Sequence, residues 1–411
     1  MDMKTKIQLF VVFLLLAVGA LWLSSCSSED AVQGSGSQAD ASLTLTINTG
    51  KVGSRATAWD GTNSPTTSQE NTINRLTVGI FDASTKKVKT IVELTSATTG
   101  GNSLSVSGNT ATAKIVTTSL ATGDDVLVAA NAPAGNFAGV ADVTGFNAKT
   151  ETIESAVLSS SDNTKEINTN IPMYGASTLK GSGSAFTAAV SVQHQLAKIT
   201  LDSLSVDFAQ DGPYKSATFK PTEFFLVNVP ENLAFNTAAV NGTSHFHGCN
   251  TASSDYSSLA WINSLPSNWG SYKEFLATGA LSGSALSGIA SSGTEKYGSK
   301  SFFYVTPSTD DTDNGKMKLI IAGDFDANGS GTTEKVFYPV AINATYDAAG
   351  KATAADGGTV FQVSPNKNYK CTVVIKTKGT IDPTKNLDPQ TATVTVTVTD
   401  FVEAKQTTTF E

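Results

Sequence analysis

From Ser42 onward this 411-residue chain is written in a period of two. Leu43-Thr44-Leu45-Thr46-Ile47 alternates apolar with polar, and Thr393-Val394-Thr395-Val396-Thr397-Val398-Thr399 repeats the alternation near the other end. Successive side chains of a strand point to opposite faces, so each run presents one apolar and one wettable face. The same reading gives strands at 73–81, 88–94, 111–117, 125–130, 188–206 and 223–229. It continues with 301–306, 316–322, 334–344, 368–377 and 392–399, and a last run at 406–410. Gly, Asn, Asp and Ser clusters between them supply turns. Residues 136–160 read less clearly and admit a short helix. Residues 230–301 are rich in Ser, Gly and Asn and read as long loops with short helical pieces, His245–Cys249 among them. Many short strands separated by turns indicate an all-β chain built of β-sandwiches. Its length exceeds what one core usually organises, so two domains are expected. The Gly/Ser stretch at 179–184 marks the boundary, giving 56–184 and 185–411.

The first 26 residues stand outside that pattern. Lys4 and Lys6 precede an unbroken apolar and small run from Leu9 to Leu23, followed at once by Ser24-Ser25-Cys26. A basic start, a short apolar core and small residues at the cut describe a secretory signal over 1–25. Fifteen apolar residues are too few for a comfortable membrane span, which needs about 20. Leu23–Cys26 resembles a bacterial lipobox, in which the Cys thiol takes a diacylglycerol and becomes residue one. Residues 27–41 are a polar tether. Within it Ser28-Glu29-Asp30 resembles the acidic signal that sends such lipoproteins to the cell surface. Without residues 1–25 the chain holds 26 basic and 35 acidic residues. An acidic chain with no basic block argues against nucleic acid as a partner. Only Cys249 and Cys371 then remain, enough for one disulfide and far from a disulfide framework.

No constellation points to catalysis. Gly-x-Ser-x-Gly, His-Glu-x-x-His and Walker-type loops are all absent from the sequence. Asp324-Phe-Asp326-Ala-Asn328-Gly329 opens like a calcium loop, but position twelve is Lys335 and Glu334 falls one short, so an Asp/Asn/Gly hairpin fits better. His245, His247 and Cys249 alternate as the start of a zinc site would, without a second ligand pair nearby. His194 reads as a structural residue within a strand. Trp59, Trp261 and Trp269, with Tyr256 and Tyr272, offer either stacking platforms for a glycan or anchors of loops to the core. No cofactor or metal is expected.

The basic residues are uneven. Of 28, 26 are Lys, and the two Arg are Arg55 and Arg75. Arg75 falls inside a strand pattern, where pairing hides it from a protease. Arg55 lies in Gly53-Ser54-Arg55-Ala56-Thr57, a small-residue stretch suited to nicking. An Arg-specific protease therefore has one accessible bond, Arg55–Ala56. A cut there frees the Leu43–Ile47 strand and opens an apolar groove. Val394, Val396 and Val398 of a neighbouring molecule have the period to fill it by strand addition, or else form the last strand of their own domain. Head-to-tail repetition of such a contact gives a filament.

In this setting the whole chain resembles the fimbrillins, the shaft subunits of Bacteroidetes type V pili. The likeness rests on the lipobox, the Arg55–Ala56 junction, Ile73–Asp82 as the first mature strand, Ile171-Pro172-Met173-Tyr174-Gly175, and Gln195–Thr200, where that family often has Arg for Gln195. The resemblance implies two tandem transthyretin-like Greek-key β-sandwiches, export as an outer-membrane lipoprotein, Arg-directed cleavage at the surface, and polymerisation with other pilin subunits into an extracellular fimbrium. Carried onto this chain, it makes Cys26 the lipid site, Arg55 the residue before the cut and Ala56 the mature N-terminus. Residues 26–55 become tether and propeptide, Leu43, Leu45 and Ile47 the displaced strand, and 391–411 the donor segment. The competing readings are an anchor or tip subunit of the same pilus, and a monomeric surface glycan-binding lipoprotein.

Overall fold

The computed structural model describes residues 41–49, 67–108, 110–153, 169–236, 239–240, 244–248, 268–271, 276–278, 285–287, 294–296, 302–347, 349–383, 385 and 392–400. Cys26, Arg55, Ala56, Trp59, Cys249, Tyr256, Trp261, Tyr272 and the 406–410 run lie outside them.

The chain is all-β, as its alternation predicts. Its first half supplies β1 Ala41–Asn48, β2 Arg75–Phe81, β3 Val88–Thr95, β4 Ser103–Ser107, β5 Thr110–Thr117, β6 Asp125–Ala130, β7 Thr150–Thr152, β8 Met173–Thr178, β9 Lys180–Ser182, β10 Ala185–Ser191 and β11 Gln193–His194. Two five-stranded sheets result, ordered β4-β5-β1-β10-β9 and β11-β8-β6-β2-β3. Their apolar faces meet in one core that joins Leu43, Leu45 and Ile47 of the first sheet to Leu76, Val78, Ile80, Val126 and Val128 of the second. Gly175 is needed where the sheets converge, because a Cβ there would meet the Ser191 carbonyl and the Val190 side chain.

The second half supplies β12 Ala197–Val206, β13 Thr218–Val227, β14 Val229–Pro230, β15 Asn232–Ala234, β16 Ser244–His247, β17 Asn268–Ser271, β18 Leu276–Thr278, β19 Leu286–Ser287 and β20 Thr294–Lys296. It ends with β21 Phe302–Val305, β22 Lys318–Asp326, β23 Thr333–Ala341, β24 Thr345–Tyr346, β25 Ala352–Thr353, β26 Lys367–Ile375 and β27 Ala392–Asp400. One sheet runs β20-β12-β26-β27 with β21 also on β12; the other runs β18-β13-β22-β23 with β19 also on β13. A second core lies between them, built from residues such as Ile199, Leu204, Phe219, Leu319, Tyr338 and Val373. Pro221 has no N–H for the ladder, and the β13–β22 register shifts just after it.

Two features bind the halves. β7 pairs with β15, and Phe235 packs edge-on against Phe137, whose ring lies 4.2 Å from Phe146. Phe146 belongs to the short helix Val143–Asn147, capped by the Asp142 side chain accepting from the Gly145 N–H. This is the helix that residues 136–160 admit.

The expected boundary at 184/185 is corrected. β10 pairs with both β1 and β9 in the first half's sheet, and the passage to the second core falls between Val192 and Leu196. The Gly/Ser stretch is not a linker. Gly181 and Gly183 take positive φ in the β9–β10 hairpin, a conformation that favours glycine.

Candidate functional site

Leu43, Leu45 and Ile47 are fully buried, while Thr44, Thr46 and Asn48 face outward. β1 is a central strand. It pairs antiparallel with β5 on one edge and parallel with β10 on the other, over nearly its whole length. Its ends are fastened by backbone bonds, Ser42 N–H to the Ser184 carbonyl at 2.9 Å and Val192 N–H to the Asn48 carbonyl at 3.0 Å. The parallel ladder with β10 joins strands far apart in sequence, so β1 enters between β5 and β10 as a separate segment and not as one arm of a hairpin. Removing it exposes two strand edges and the apolar face between them.

The description resumes after residues 50–66 with the helical turn Thr67–Glu70. Glu70 is held by the second half of the chain. Its Oε1 accepts from Lys198 Nζ at 2.9 Å and from the Tyr304 hydroxyl at 2.7 Å, and its carbonyl lies 3.0 Å from His194 Nε2. Lys198 Nζ sits 4.1 Å from the centre of the Phe302 ring. Burying a lysine is costly unless it is paired, and this one has a carboxylate and an aromatic face. His194 is structural, as expected, with Nδ1 3.3 Å from Asn366 Oδ1. Nothing in the sequence marks Glu70 for this role, since its partner lies 128 residues away.

Val394, Val396 and Val398 fall in β27, an edge strand paired antiparallel with β26 from Lys367↔Asp400 to Ile375↔Ala392. Val396 is buried and Val394 partly so against the second core, while Thr395 and Thr397 are exposed. In this state the segment forms the last strand of its own sheet, with one edge unpaired by any described strand. The chain reaches it through a clasp on the opposite sheet: Phe337 and Thr380 exchange backbone bonds of 2.7 and 3.0 Å, and Lys378 pairs with Glu334 at 2.5 Å.

The other candidates resolve into scaffold. Asp324 and Asp326 end β22, and Asp326 Oδ1 accepts N–H bonds from Asn328, Gly329 and Ser330, with Oδ2 taking that of Gly331. These bonds, that from Gly331 foremost, hold the carboxyl below its usual range. The acid closes a hairpin, and Asp324 faces Lys335 at 4.0 Å. His245 and His247 lie on strand β16 where the composition suggested a loop. His247 Nδ1 accepts the Asn228 N–H at 2.9 Å, and burial lowers its pKa to about 3, followed by the influence of His245. Cys371 is a free thiol fully buried in the second core, pushed up to about 12 by desolvation. Trp269 lies on β17. Among the described residues no group of three or more His, Cys, Asp or Glu could hold a metal ion.

Comparison with known proteins follows the same lines. Residues 41–198 match the family described as "Major fimbrial subunit protein (FimA)". The match opens at the first residue of β1 and ends at Lys198. A crystal structure of a fimbrilin from Porphyromonas gingivalis superposes with a TM-score of 0.58 at 18% identity, covering 89% of this chain and 99% of that one. A candidate cell adhesion protein from Bacteroides eggerthii gives 0.57 at 20% identity, covering 89% and 98%, and another from Parabacteroides distasonis gives 0.57 at 14%, covering 88% and 100%. At these identities the likeness is one of fold. No match was found among curated protein sequences.

Proposed function

We propose that this chain, whose residues 41–198 match the major fimbrial subunit family, is the shaft subunit of a cell-surface pilus, polymerised by strand exchange. In this reading it is a structural protein that associates with other pilin subunits in an extracellular fimbrium, as the match over 41–198 supports. In the finer reading, the precursor is exported with a lipid on Cys26 and cut after Arg55 by an Arg-specific protease, which leaves Ala56 first. β1 then departs, and a C-terminal strand of the next subunit, drawn from 391–411, takes its place.

The observation that carries this is the situation of β1. It fills a central slot in its sheet, contributes three fully buried apolar residues, and is joined to the following strand through the segment that contains Arg55. The Thr-x-Thr alternation of β27 offers the same outward and inward chemistry as Ser42–Asn48. Because β27 is paired at home, donation requires it to peel from β26 or requires the residues after Asp400 to act. Electron microscopy before and after Arg-specific digestion tests the proposal. Filaments are expected only after digestion, and an Arg55→Ala chain that polymerises under the same treatment refutes the cleavage step.

A further inference from the structure

The rows of the slot differ in width. Leu43 lies between Ile115 of β5 and Phe186 of β10, Ile47 between Ala111 and Val190, and Leu45 between Ala113 and Ala188. The middle row therefore has two alanines flanking one leucine, all buried, with Leu104 of β4 beyond Ala113. Only a long side chain on the central strand fills that row.

The C-terminal strand carries none. In the register that superposes the two alternations, Val394, Val396 and Val398 stand in for Leu43, Leu45 and Ile47, and each is one methylene shorter. A buried methylene is worth roughly fourfold in affinity, so three are worth roughly 60-fold before any residual void is counted.

We infer that the slot ranks its occupants by bulk at the Ala113–Leu45–Ala188 row, and that the chain's own first strand fits better than the valine strand of a second copy. This rests on the strand-exchange reading above and sharpens it. The precursor is then closed by equilibrium preference as well as by connectivity, and incoming subunits succeed because the cut strand, once released, is lost by dilution. Ala113 and Ala188 become specificity-determining residues of the subunit joint.

The test uses the full chain cut after Arg55 and two fluorescent nine-residue peptides, one copying 41–49 and one copying 392–400. Anisotropy is expected to give a dissociation constant roughly 60-fold lower for the first. Equal affinities, or the reverse order, overturn the ranking. Ala188→Val narrows the middle row and is expected to shrink the ratio to about 15-fold or less; a ratio unchanged in that variant overturns the assignment to this row. Should Ala188→Val fail to fold, Ala113→Val narrows the same row from β5. Filament formation by the cut protein without peptide is scored separately. Peptides that rank as expected on a protein that never polymerises leave the ranking standing and remove the strand-exchange reading. Filaments with unranked peptides do the opposite.

Discussion

Lys198 and Glu70 form a buried ion pair at 2.9 Å, their side chains 3% and 5% exposed. It joins the first described turn after the Arg55 segment to β12, the leading strand of the second sandwich. The pair lies outside the β1 slot, so under the proposed cleavage loss of β1 would leave it intact and keep the chain after Arg55 tied to the body.

Removing one partner of such a pair strands the other charge. Lys198→Met is expected to lower unfolding stability by about 3–5 kcal/mol, and Glu70→Gln to cost less because it keeps an acceptor for Tyr304. Urea denaturation of the purified chain measures both. A loss under about 1 kcal/mol for Lys198→Met would mean the pair is not buried in solution.

The donor assignment separates into two truncations. Deleting 391–411 is expected to give monomers after Arg-specific digestion, since no strand with the Val394–Val398 alternation remains. Deleting only 401–411 decides which part acts: filaments from that variant assign donation to β27 itself. Filaments from the longer deletion would place the donor elsewhere in the chain.

Stability should pass through a maximum in pH. Burial pushes the Glu151 carboxyl up to about 8, above its ordinary value of 4.5. Between those values the unfolded chain has released the proton and the folded one retains it, so this group's contribution to stability falls as pH rises from about 4.5 to about 8, a fall offset by His247 up to about pH 6.5. His247 works at the other side. Its folded pKa is about 3 against 6.5, so stability is lost as pH drops below about 6.5. Glu151→Gln is expected to flatten the alkaline limb above about pH 6.5, a fall of roughly 2 kcal/mol, in midpoints of chemical denaturation taken from pH 5 to 8.5. An unchanged limb would show that Glu151 is not desolvated.

Gly175→Ala is expected to destabilise by about 1–3 kcal/mol, because its methyl has only the Ser191 carbonyl and Val190 to push against. Val190 is the β10 partner of Ile47, so the variant should also speed departure of the cut β1, read as earlier appearance of ladders on unboiled gels. A variant as stable as the parent contradicts the close approach of β8 to β10.

Much of this was legible locally. The alternation at 43–47 gave the buried face of β1, and apolar runs bounded by turn residues gave β3, β5, β6 and β26 within a residue or two. Met173–Thr178 was harder to read as a strand because Gly175, Ala176 and Ser177 are small and carry no clear period. The run 188–206 looked continuous, yet the chain changes sheets between Val192 and Leu196, where His194 bonds to Glu70 and Asn366. Those partners are remote in sequence, and no local pattern announces them. For the same reason a lone Glu70 in a Ser/Gln/Asn stretch gave no hint of its partners. The middle-row alanines became informative only once the register set them beside Leu45.

The two ladders of β1 have a mechanical meaning. A strand bonded along both edges and pulled along its own axis loads every one of those hydrogen bonds together, in shear, instead of opening them one after another like a zipper. If the joint between subunits keeps this pairing, drag on a filament is spread over both neighbours of the inserted strand at once. Such a joint would hold under tension longer than one whose bonds open in sequence.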